Sequence, residues 1–354
     1  MDIDICSQDP ELENLFSNIS GKKDESVVLF LRRSFRETCQ RIAEPAKASY
    51  ESSDLCFCST SAPEGNAKSF SFELTEFNIV SNGLKLHCAL WRSNANNEID
   101  DENEEHKSVE QTSRKAPPCI VYTHTNTRSL ADAIELGPLA MSTGCNVVAF
   151  DMPGAGKSDG ILSGSCAAVM AHIDAIIEWA VLHLNTSEVI LWARGMSTAA
   201  AIEYTSSSSS SIRPMNSYVK FVLLDTPYSS VKEVIDVVVQ KHREKNSFAL
   251  VAPLFQTCSF LFGREVTKRL GSDIYAVKPI NYASSNMTPC LILSALNDDY
   301  IPSSHARQFA KKWSGPCFLK SFTGSHYSAR PKEVVMLAYD YIRSFVSFPS
   351  CAVE

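Results

Sequence analysis

From residue 118 onward, the chain alternates between short apolar runs and stretches of helical period. Continuously apolar runs of this length are typical of parallel strands that are buried on both faces. Between the runs, apolar residues recur every three or four positions, as in helices, for example in segments 169–180 and 334–345. This alternation predicts an α/β fold with a mostly parallel central sheet and helices on both faces. The predicted strands are Cys119–Tyr122, Asn146–Phe150, Val189–Trp192, Val219–Leu224, Cys290–Ser294 and Cys317–Phe322.

Two earlier runs have a different pattern, because they alternate apolar with polar positions. They are Phe70–Val80 and Leu84–Trp91, and Ser81-Asn82-Gly83 separates them. An Asn-Gly pair between alternating segments is a strong hairpin signal. Half-buried alternation is typical of antiparallel strands. We therefore predict an N-terminal antiparallel hairpin at the edge of the sheet.

The remaining segments divide the chain into a central domain and less regular parts. Helical spacing from Ser26 to Ile42, which Pro45 ends, predicts a helix before the domain. The connection from Leu224 to Cys290 is too long for a simple crossover, so we predict a small helical cap insertion there. The predicted parts are an N-terminal helical and loop extension (1–68), the α/β domain (69–347) and a tail (348–354). Within the domain we predict a disordered acidic insertion (93–116), a Ser-rich loop (205–213) and the cap-like insertion (228–285).

Composition and charge narrow the classes of function. Apolar residues make up 44% and charged residues 21% of the 354 residues, as in ordinary globular domains. The net charge of −7 argues against nonspecific nucleic-acid binding, which needs a clustered cationic surface. The start, Met1-Asp2-Ile3-Asp4, lacks the layout of a signal peptide, and the apolar runs are too short to span a bilayer. We therefore expect a cytoplasmic protein without a transmembrane segment or a nucleic-acid partner.

The 12 cysteines are spread along the whole chain, and several lie within apolar runs. No pair has the spacing of metal ligands, and the closest approach is Cys56-Phe57-Cys58. Buried thiols fit this distribution better than a zinc site or a disulfide framework. We expect no metal and no other cofactor. The C-terminal Cys351-Ala352-Val353-Glu354 superficially matches a prenylation box, and we interpret the match as chance because no polybasic stretch precedes it.

The segment Gly154–Ser158 resembles the end of a phosphate-binding loop, because it follows a predicted strand and closes on Gly-Lys-Ser. A Walker A loop needs a glycine at the position that Asp151 occupies here. A carboxylate at that position would repel phosphate, and Pro153 removes one backbone N–H from the cradle. The segment is therefore interpreted as a Gly-rich turn without a nucleotide.

Polar residues follow the predicted strands at the edge where ligands bind in open parallel sheets. His124-Thr125-Asn126 comes after the first buried strand, and Arg194-Gly195-Met196 after the third. Asn297-Asp298-Asp299 and Ser325-His326 come after the last two strands. Because these strand ends meet at one edge, we expect the four groups to converge on one site.

The order of an elbow, an acid and a histidine is that of α/β-hydrolases. From about Arg41 onward, the chain resembles that superfamily, near the serine aminopeptidase-like lineage. More narrowly, it is similar to uncharacterised plant and protist hydrolase-like proteins in the segments Phe150–Gly160, Leu224–Ser229 and Ser325–Pro331. The resemblance implies that Asp298 is the acid and His326 the base of a catalytic triad. In this role the carboxylate fixes the imidazole tautomer and stabilises its charged form.

Two other carboxylates are candidates for the acid. Asp299 neighbours Asp298 in the same loop. Asp225 ends an earlier strand, where a structural role in the turn is favoured. Taken alone, His326 could be an ordinary loop histidine in a Gly-Ser-His turn. The triad position is favoured because Asp298 also falls at the matching position of the family pattern.

The nucleophile position departs from the family pattern, because Gly-x-Ser-x-Gly is replaced by Ala193-Arg194-Gly195-Met196-Ser197. Small residues at 193 and 197 suit the crowded elbow, and glycine adopts its strained backbone readily. No acyl-enzyme can form at a residue without a side chain. The oxyanion hole is also altered, since the family's His-Gly is His124-Thr125 here. Its candidate donors are the backbone N–H groups of Thr125 or Asn126 and of Met196.

Three hypotheses follow. The first is a pseudo-hydrolase, with Gly195 at the nucleophile position and Asp298 and His326 retained, which binds a small acyl or ester ligand or a protein. The second is an active ester or peptide hydrolase that uses a water molecule or a relocated hydroxyl, for which Ser197 is the candidate. The third is a protein-interaction module in which the insertions at 93–116 and 205–213 are the contact surfaces. The replaced serine favours the first.

Overall fold

The computed structural model describes residues 47–56, 71–94, 116–161, 165–206, 213–245, 263–269, 271 and 273–348. The predicted helix at 26–42, residues 95–115 of the acidic insertion, residues 207–212 of the Ser-rich loop and the C-terminal prenylation-like sequence lie outside these ranges. Ser93 belongs to a strand and Thr205 to a helix, so both insertions begin later than the sequence predicted. The sequence pattern missed both starting points because the last residue of the strand, Ser93, and the last residue of the helix, Thr205, are polar.

Eight strands form one sheet in the order β1-β2-β4-β3-β5-β6-β7-β8. Strands β3 to β8 run parallel to each other, and β2 pairs antiparallel with both β1 and β4. Asn82 and Gly83 connect β1 to β2 with φ angles of 50° and 76°, as a tight hairpin turn requires. The strands are β1 (Phe72–Ser81), β2 (Leu84–Ser93), β3 (Cys119–Thr123), β4 (Asn146–Phe150), β5 (Val189–Arg194), β6 (Val219–Asp225), β7 (Cys290–Ala295) and β8 (Cys317–Phe322).

Helices cover both faces of this sheet, as the sequence predicted. They are α1 (Gly137–Thr143), α2 (Cys166–Leu184), α3 (Ser197–Thr205), α4 (Val231–Lys245), α5 (263–269), α6 (Ser303–Lys312) and α7 (Lys332–Arg343). The described part of the cap-like insertion consists of α4, α5 and short 3₁₀ turns at Ile274–Ala276 and Pro279–Ser285. It is helical, in agreement with the expectation for the long connection after β6.

The core has two layers, one on each side of the sheet. Along β5, Leu191 and Ala193 pack into the layer with α2, α3 and α6, whereas Ile190 and Trp192 pack into the layer with α1 and α7. Every residue of β5 is buried, which explains its continuous apolar run. The only charged residue of this strand, Arg194, lies at its carboxyl end.

Helix α2 is long and apolar enough, by length and composition, to cross a membrane. The sequence prediction missed this property of the helix because it considered only uninterrupted apolar runs. One face of the helix, with Ile173, Ile176 and Ile177, is fully buried in the core layer it shares with α3 and α6. The core helix of a globular domain has this composition too, so the cytoplasmic location stays a prediction.

Candidate active site

The turn from β5 into α3 places Gly195 at the carboxyl edge of the sheet. Gly195 has a φ of 58°, in the left-handed region where a glycine avoids the Cβ penalty. Its N–H donates to the carbonyl oxygen of Asp225 at 2.8 Å, and its own carbonyl accepts from Thr198 N at 3.1 Å. The flanking Ala193 and Ser197 are buried. The chain therefore forms a tight elbow between strand and helix around a residue without a side chain.

Asp298 and His326 come together from the loops that follow β7 and β8. Oδ2 of Asp298 lies 2.8 Å from Nδ1 of His326. The other oxygen, Oδ1, accepts hydrogen bonds from the backbone N–H groups of Tyr300 and Ile301, each at 2.8 Å. Both partners of the pair are buried. This leaves Nε2 of the imidazole directed toward the elbow, 3.4 Å from where a Cβ on Gly195 would lie.

Thr125 occupies the space that a side chain at position 195 would need. A Cβ on Gly195 would lie 2.8 Å from Cβ of Thr125 and closer still to its Oγ1. Real Cβ atoms essentially never approach other atoms to less than 3.0 Å. The Thr125 hydroxyl also lies 3.3 Å from Oδ1 of Asn126, to which it donates. Gly195 and Thr125 are thus two parts of one packing arrangement.

The candidate oxyanion donors are at the open side of the elbow. Asn126 and Met196 both line the neighbouring cleft. Among the described residues, no acceptor is seen for the backbone N–H groups of Thr125, Asn126 or Met196. His124 fixes the first of these loops, because Nδ1 lies 2.6 Å from the Thr125 carbonyl oxygen and Nε2 accepts from Met152 N at 2.9 Å. These backbone groups can donate to a carbonyl oxygen of a bound ligand.

Ser197, the candidate for a relocated nucleophile, serves the elbow itself. Its Oγ accepts from the backbone N–H of Arg194 at 3.1 Å and from the Thr123 hydroxyl at 2.9 Å. It also lies 3.0 Å from the carbonyl oxygens of the same two residues. The side chain is 2% exposed. The hydroxyl therefore ties the end of β5 to the end of β3, which favours the structural interpretation.

Asp225 is committed to an arginine and not to the histidine. Arg330 donates from Nε to Asp225 Oδ2 at 2.8 Å and from Nη2 to Oδ1 at 2.9 Å. The same guanidinium donates to the carbonyl oxygens of His326 at 3.2 Å and Ser328 at 2.6 Å. Asp299, the other candidate acid, is exposed. Asp225 thus anchors the arginine that holds the histidine loop.

Arg194, at the second position of the elbow, supports the same loop. It is 2% exposed, and Nη2 donates to the carbonyl oxygen of Ser328 at 2.9 Å. Nη1 donates to Glu135 at 3.2 Å, and burial raises the pKa of that carboxyl although Arg194 opposes the rise. Sequence reasoning missed the roles of Arg194 and Arg330, although both lie inside the motifs that carried the resemblance. A charged residue at the centre of a buried motif was the available signal.

A narrow cleft of about 80 Å³, open to solvent, begins beside the elbow and runs under the described part of the cap. Its polar groups are few, and include His172 and Tyr228. Burial lowers the pKa of His172, whose Nδ1 lies 2.9 Å from the Ser81 hydroxyl. Most of the wall is apolar, and besides Met196 the apolar lining residues include Met152, Pro153, Ala168, Val169, Ala200, Val231, Val266, Ile274 and Val277. Clefts with this lining bind apolar groups of small ligands.

The Gly-rich turn after β4 encloses a carboxylate of the chain itself. Asp151 accepts hydrogen bonds from Leu130 N and Lys157 N, each at 2.8 Å, and from the Tyr50 hydroxyl at 2.7 Å. Gly156 packs so closely on this carboxylate that a Cβ would overlap with it. The position that a phosphate would take is therefore filled, in line with the interpretation of a turn. Within the described ranges, no group of three or more His, Cys, Asp or Glu residues could hold a metal ion.

No protein-family model and no curated protein matches the chain. Solved structures do match it. An esterase from Pyrococcus furiosus has 16% identity and a TM-score of 0.52, over 78% of this chain and 92% of the esterase. A cold-adapted esterase from an Arctic intertidal metagenomic library has 14% identity and a TM-score of 0.50, over 78% of this chain and 95% of that one.

A third similar structure is a thermophilic esterase from the Planctomycetes species Thermogutta terrifontis, solved with butyrate bound. It has 14% identity and a TM-score of 0.50, over 77% of this chain and 94% of the esterase. At such low identity these similarities establish the fold. The chain has the α/β-hydrolase fold, which confirms the fold class that the sequence predicted.

Proposed function

We propose that this protein is a pseudo-hydrolase that binds a small acyl or ester ligand in the cleft beside Gly195 and forms no acyl-enzyme. The observation that carries the proposal is the Gly195–Thr125 contact. Position 195 has no side chain, and the volume of the missing side chain is filled by Thr125. Acyl transfer through this elbow needs a hydroxyl or thiol at that position.

The groups that remain are those that bind an ester. The N–H groups of Asn126 and Met196 border the cleft and can donate to a carbonyl oxygen. His326 directs Nε2 to the elbow, 3.4 Å from where a Cβ on Gly195 would lie, and it would hydrogen-bond to the second ester oxygen of a ligand that reaches from the cleft to the elbow. The apolar cleft would take the acyl chain. The butyrate in the Thermogutta terrifontis esterase supports a short acyl group as the first ligand to test. On its motifs, we also propose that the chain lies near the serine aminopeptidase-like lineage.

A fluorophosphonate probe tests the missing nucleophile, because it labels activated serines covalently. We expect no labelling of the wild-type protein and little labelling of Gly195→Ser, since the new side chain overlaps with Thr125. The double variant Thr125→Gly/Gly195→Ser should label and should cleave phenyl butyrate. Adding His326→Ala to the double variant should abolish both. Labelling of the wild-type protein would overturn the proposal, and mapping of the adduct would then identify the nucleophile.

Binding in the cleft is tested with phenyl butyrate and wild-type protein by isothermal titration calorimetry. Ala168 lines the cleft from α2, so Ala168→Trp should fill it and abolish binding. Its neighbour Ala167 is exposed on the same helix and does not line the cleft. Ala167→Trp is therefore the matched control, and it should bind as the wild-type protein does. Equal binding by both variants would place the ligand elsewhere.

The intact Asp298–His326 pair favours one second candidate, an active ester hydrolase that uses water or the Thr125 hydroxyl. This activity predicts turnover of phenyl butyrate by the wild-type protein that is lost in His326→Ala. Thr125→Val removes the hydroxyl and keeps the shape of the side chain. Turnover that survives in Thr125→Val would identify water as the nucleophile, and turnover that disappears would identify the threonine. If none of these proteins turns over phenyl butyrate, the pseudo-hydrolase remains the proposed function.

A further inference from the structure

Two cysteines lie side by side at the start of the strands that lead to Asp298 and His326. Cys290 is the first residue of β7, Cys317 is the first residue of β8, and the two are paired in the strand register. Register partners on neighbouring strands are about 4.8 Å apart and project to the same face of the sheet. Both side chains indeed pack in the core layer of α2, α3 and α6. Nothing in the proposed function uses them.

The two thiols differ in accessibility and in acidity. Cys290 is fully buried, whereas Cys317 is half-buried on the outer strand of the sheet. A hydrogen bond from the Cys290 thiol lowers the pKa of Cys317. Burial, together with the same hydrogen bond, raises the pKa of Cys290. The accessible thiol is therefore the one that ionises more readily, and the thiolate is the form that reacts with oxidants.

We propose that Cys290 and Cys317 are an oxidation site that a hydroperoxide converts into a disulfide between β7 and β8. The Cys317 thiolate attacks the peroxide oxygen, which gives a sulfenic acid and, for hydrogen peroxide, releases one water after protonation. The Cys290 sulfur then attacks the sulfenic sulfur, the S–O bond breaks, and a second water leaves. The two thiols lose two electrons in total, and the peroxide gains them. The separation of register partners lies within the Cα range of disulfides.

A second pair of nearby cysteines shows why the strand register matters. Burial raises the pKa of both Cys119 and Cys145, and Cys145 lies close enough to add to the rise at Cys119. They belong, however, to different core layers on opposite faces of the sheet. A disulfide between them would have to pass through the strands. These two cysteines are therefore an internal control that should remain reduced.

The disulfide would connect the outermost strand of the sheet to its neighbour at the edge opposite the active site. Asp298 and His326 follow the other ends of the same two strands. The bridge would restrict the separation of β8 from the sheet and leave the acid–base pair in place. Oxidation should thus raise the midpoint of thermal unfolding and leave the binding of phenyl butyrate unchanged.

The test uses the full-length protein, reduced and then exposed to a small molar excess of hydrogen peroxide. Because the chain has 12 cysteines, peptide mapping under non-reducing conditions decides the outcome. Arg307, Lys311 and Lys312 separate the two cysteines, so trypsin places them on different peptides. We expect a crosslinked Cys290–Cys317 peptide pair that thiol reductants dissociate. Cys290→Ala should instead leave a sulfenic acid on Cys317, which dimedone traps, and Cys317→Ala should leave Cys290 reduced.

Exposed Cys56 reports whether the oxidant reached the protein. The proposal fails if Cys56 is oxidised while Cys290 and Cys317 stay reduced. It also fails if Cys317 stops at the dimedone-reactive acid in the wild-type protein, since the two sulfurs would then be too far apart to join. Crosslinks that form equally between Cys119 and Cys145 would indicate oxidation of an unfolded chain, and would overturn the assignment to the native register.

Discussion

The two halves of the active site are built in different ways. The acid–base half consists of Asp298 and His326. Both oxygens of the Asp298 carboxylate are hydrogen-bonded, and two buried arginines hold the loop that carries His326. The nucleophile half, Gly195 and Thr125, keeps the elbow and fills the place of the serine with another side chain. The difference shows that the contacts of the acid–base half are complete beside an elbow that carries no side chain.

Removal of Arg330 should have the largest effect on stability, because Arg330 holds the loop that carries His326 in the acid–base half. In Arg330→Ala, Asp225 would stay buried without its bidentate partner, and the His326 loop would lose a donor. We expect the free energy of unfolding to fall by about 3–5 kcal/mol, measured by urea denaturation. Arg343→Ala is the control at an exposed helix end, where the change should stay within about 0.5 kcal/mol. Similar small losses in both variants would show that the arginine does not hold this half.

Gly195→Ser should have the next largest effect, because it tests how tightly the nucleophile half is filled. The left-handed backbone costs a serine about 1 kcal/mol, and the overlap with Thr125 adds about 1–3 kcal/mol. Gly83→Ser separates these costs, since Gly83 has a φ of 76° and open space around it. It should lose about 1 kcal/mol only. In a Thr125→Gly background, the cost of Gly195→Ser should fall to the value at Gly83.

A smaller effect should appear in the dependence of stability on pH. Burial lowers the pKa of His172, on the cleft wall, and of His305, behind the acid–base half. The unfolded chain therefore binds protons first as the pH falls, and stability should decrease below the unfolded pKa of about 6.5. The slope should not exceed about 1.4 kcal/mol per pH unit for each histidine. Urea denaturation between neutral and acidic pH should show that the free energy of unfolding of His172→Gln and of His305→Gln changes less with pH than that of the wild-type protein.

The exposed His183 provides the control for this pH dependence. His183→Gln should have the wild-type profile. If the His172 and His305 variants also followed that profile, the decrease in stability would have to come from carboxylates.

Much of the framework could be predicted from the sequence because it depends on local patterns. Six parallel strands were located to within one or two residues from their apolar runs. The predicted burial was wrong for β8, because this strand lies at the edge of the sheet and exposes Leu319, Lys320 and Ser321. The positions of Gly195, Asp298 and His326 followed from motifs that end strands. The contact between Thr125 and Gly195 could not be predicted in this way. It joins two loops that are distant in the sequence, and it depends on the distance between the Thr125 side chain and the Cβ position of residue 195.

The arginines behind the histidine loop show the same limit. Arg194 and Arg330 each lie within a motif, but the carboxylates that they meet, Glu135 and Asp225, come from other segments. A sequence pattern identifies a buried strand from its own residues. It does not identify which buried charge will meet which, because that depends on how separate loops pack at the sheet edge.

The Gly195–Thr125 contact also sets the order in which a serine could arise at position 195 by mutation. A serine at 195 that appears first meets the threonine and destabilises the protein. A glycine at 125 that appears first leaves both positions without side chains, so a void opens and no activity is gained. Neither first step offers an advantage, so a mutational path from this chain to a serine hydrolase has no favourable beginning. A single packing contact can in this way require two substitutions to occur together.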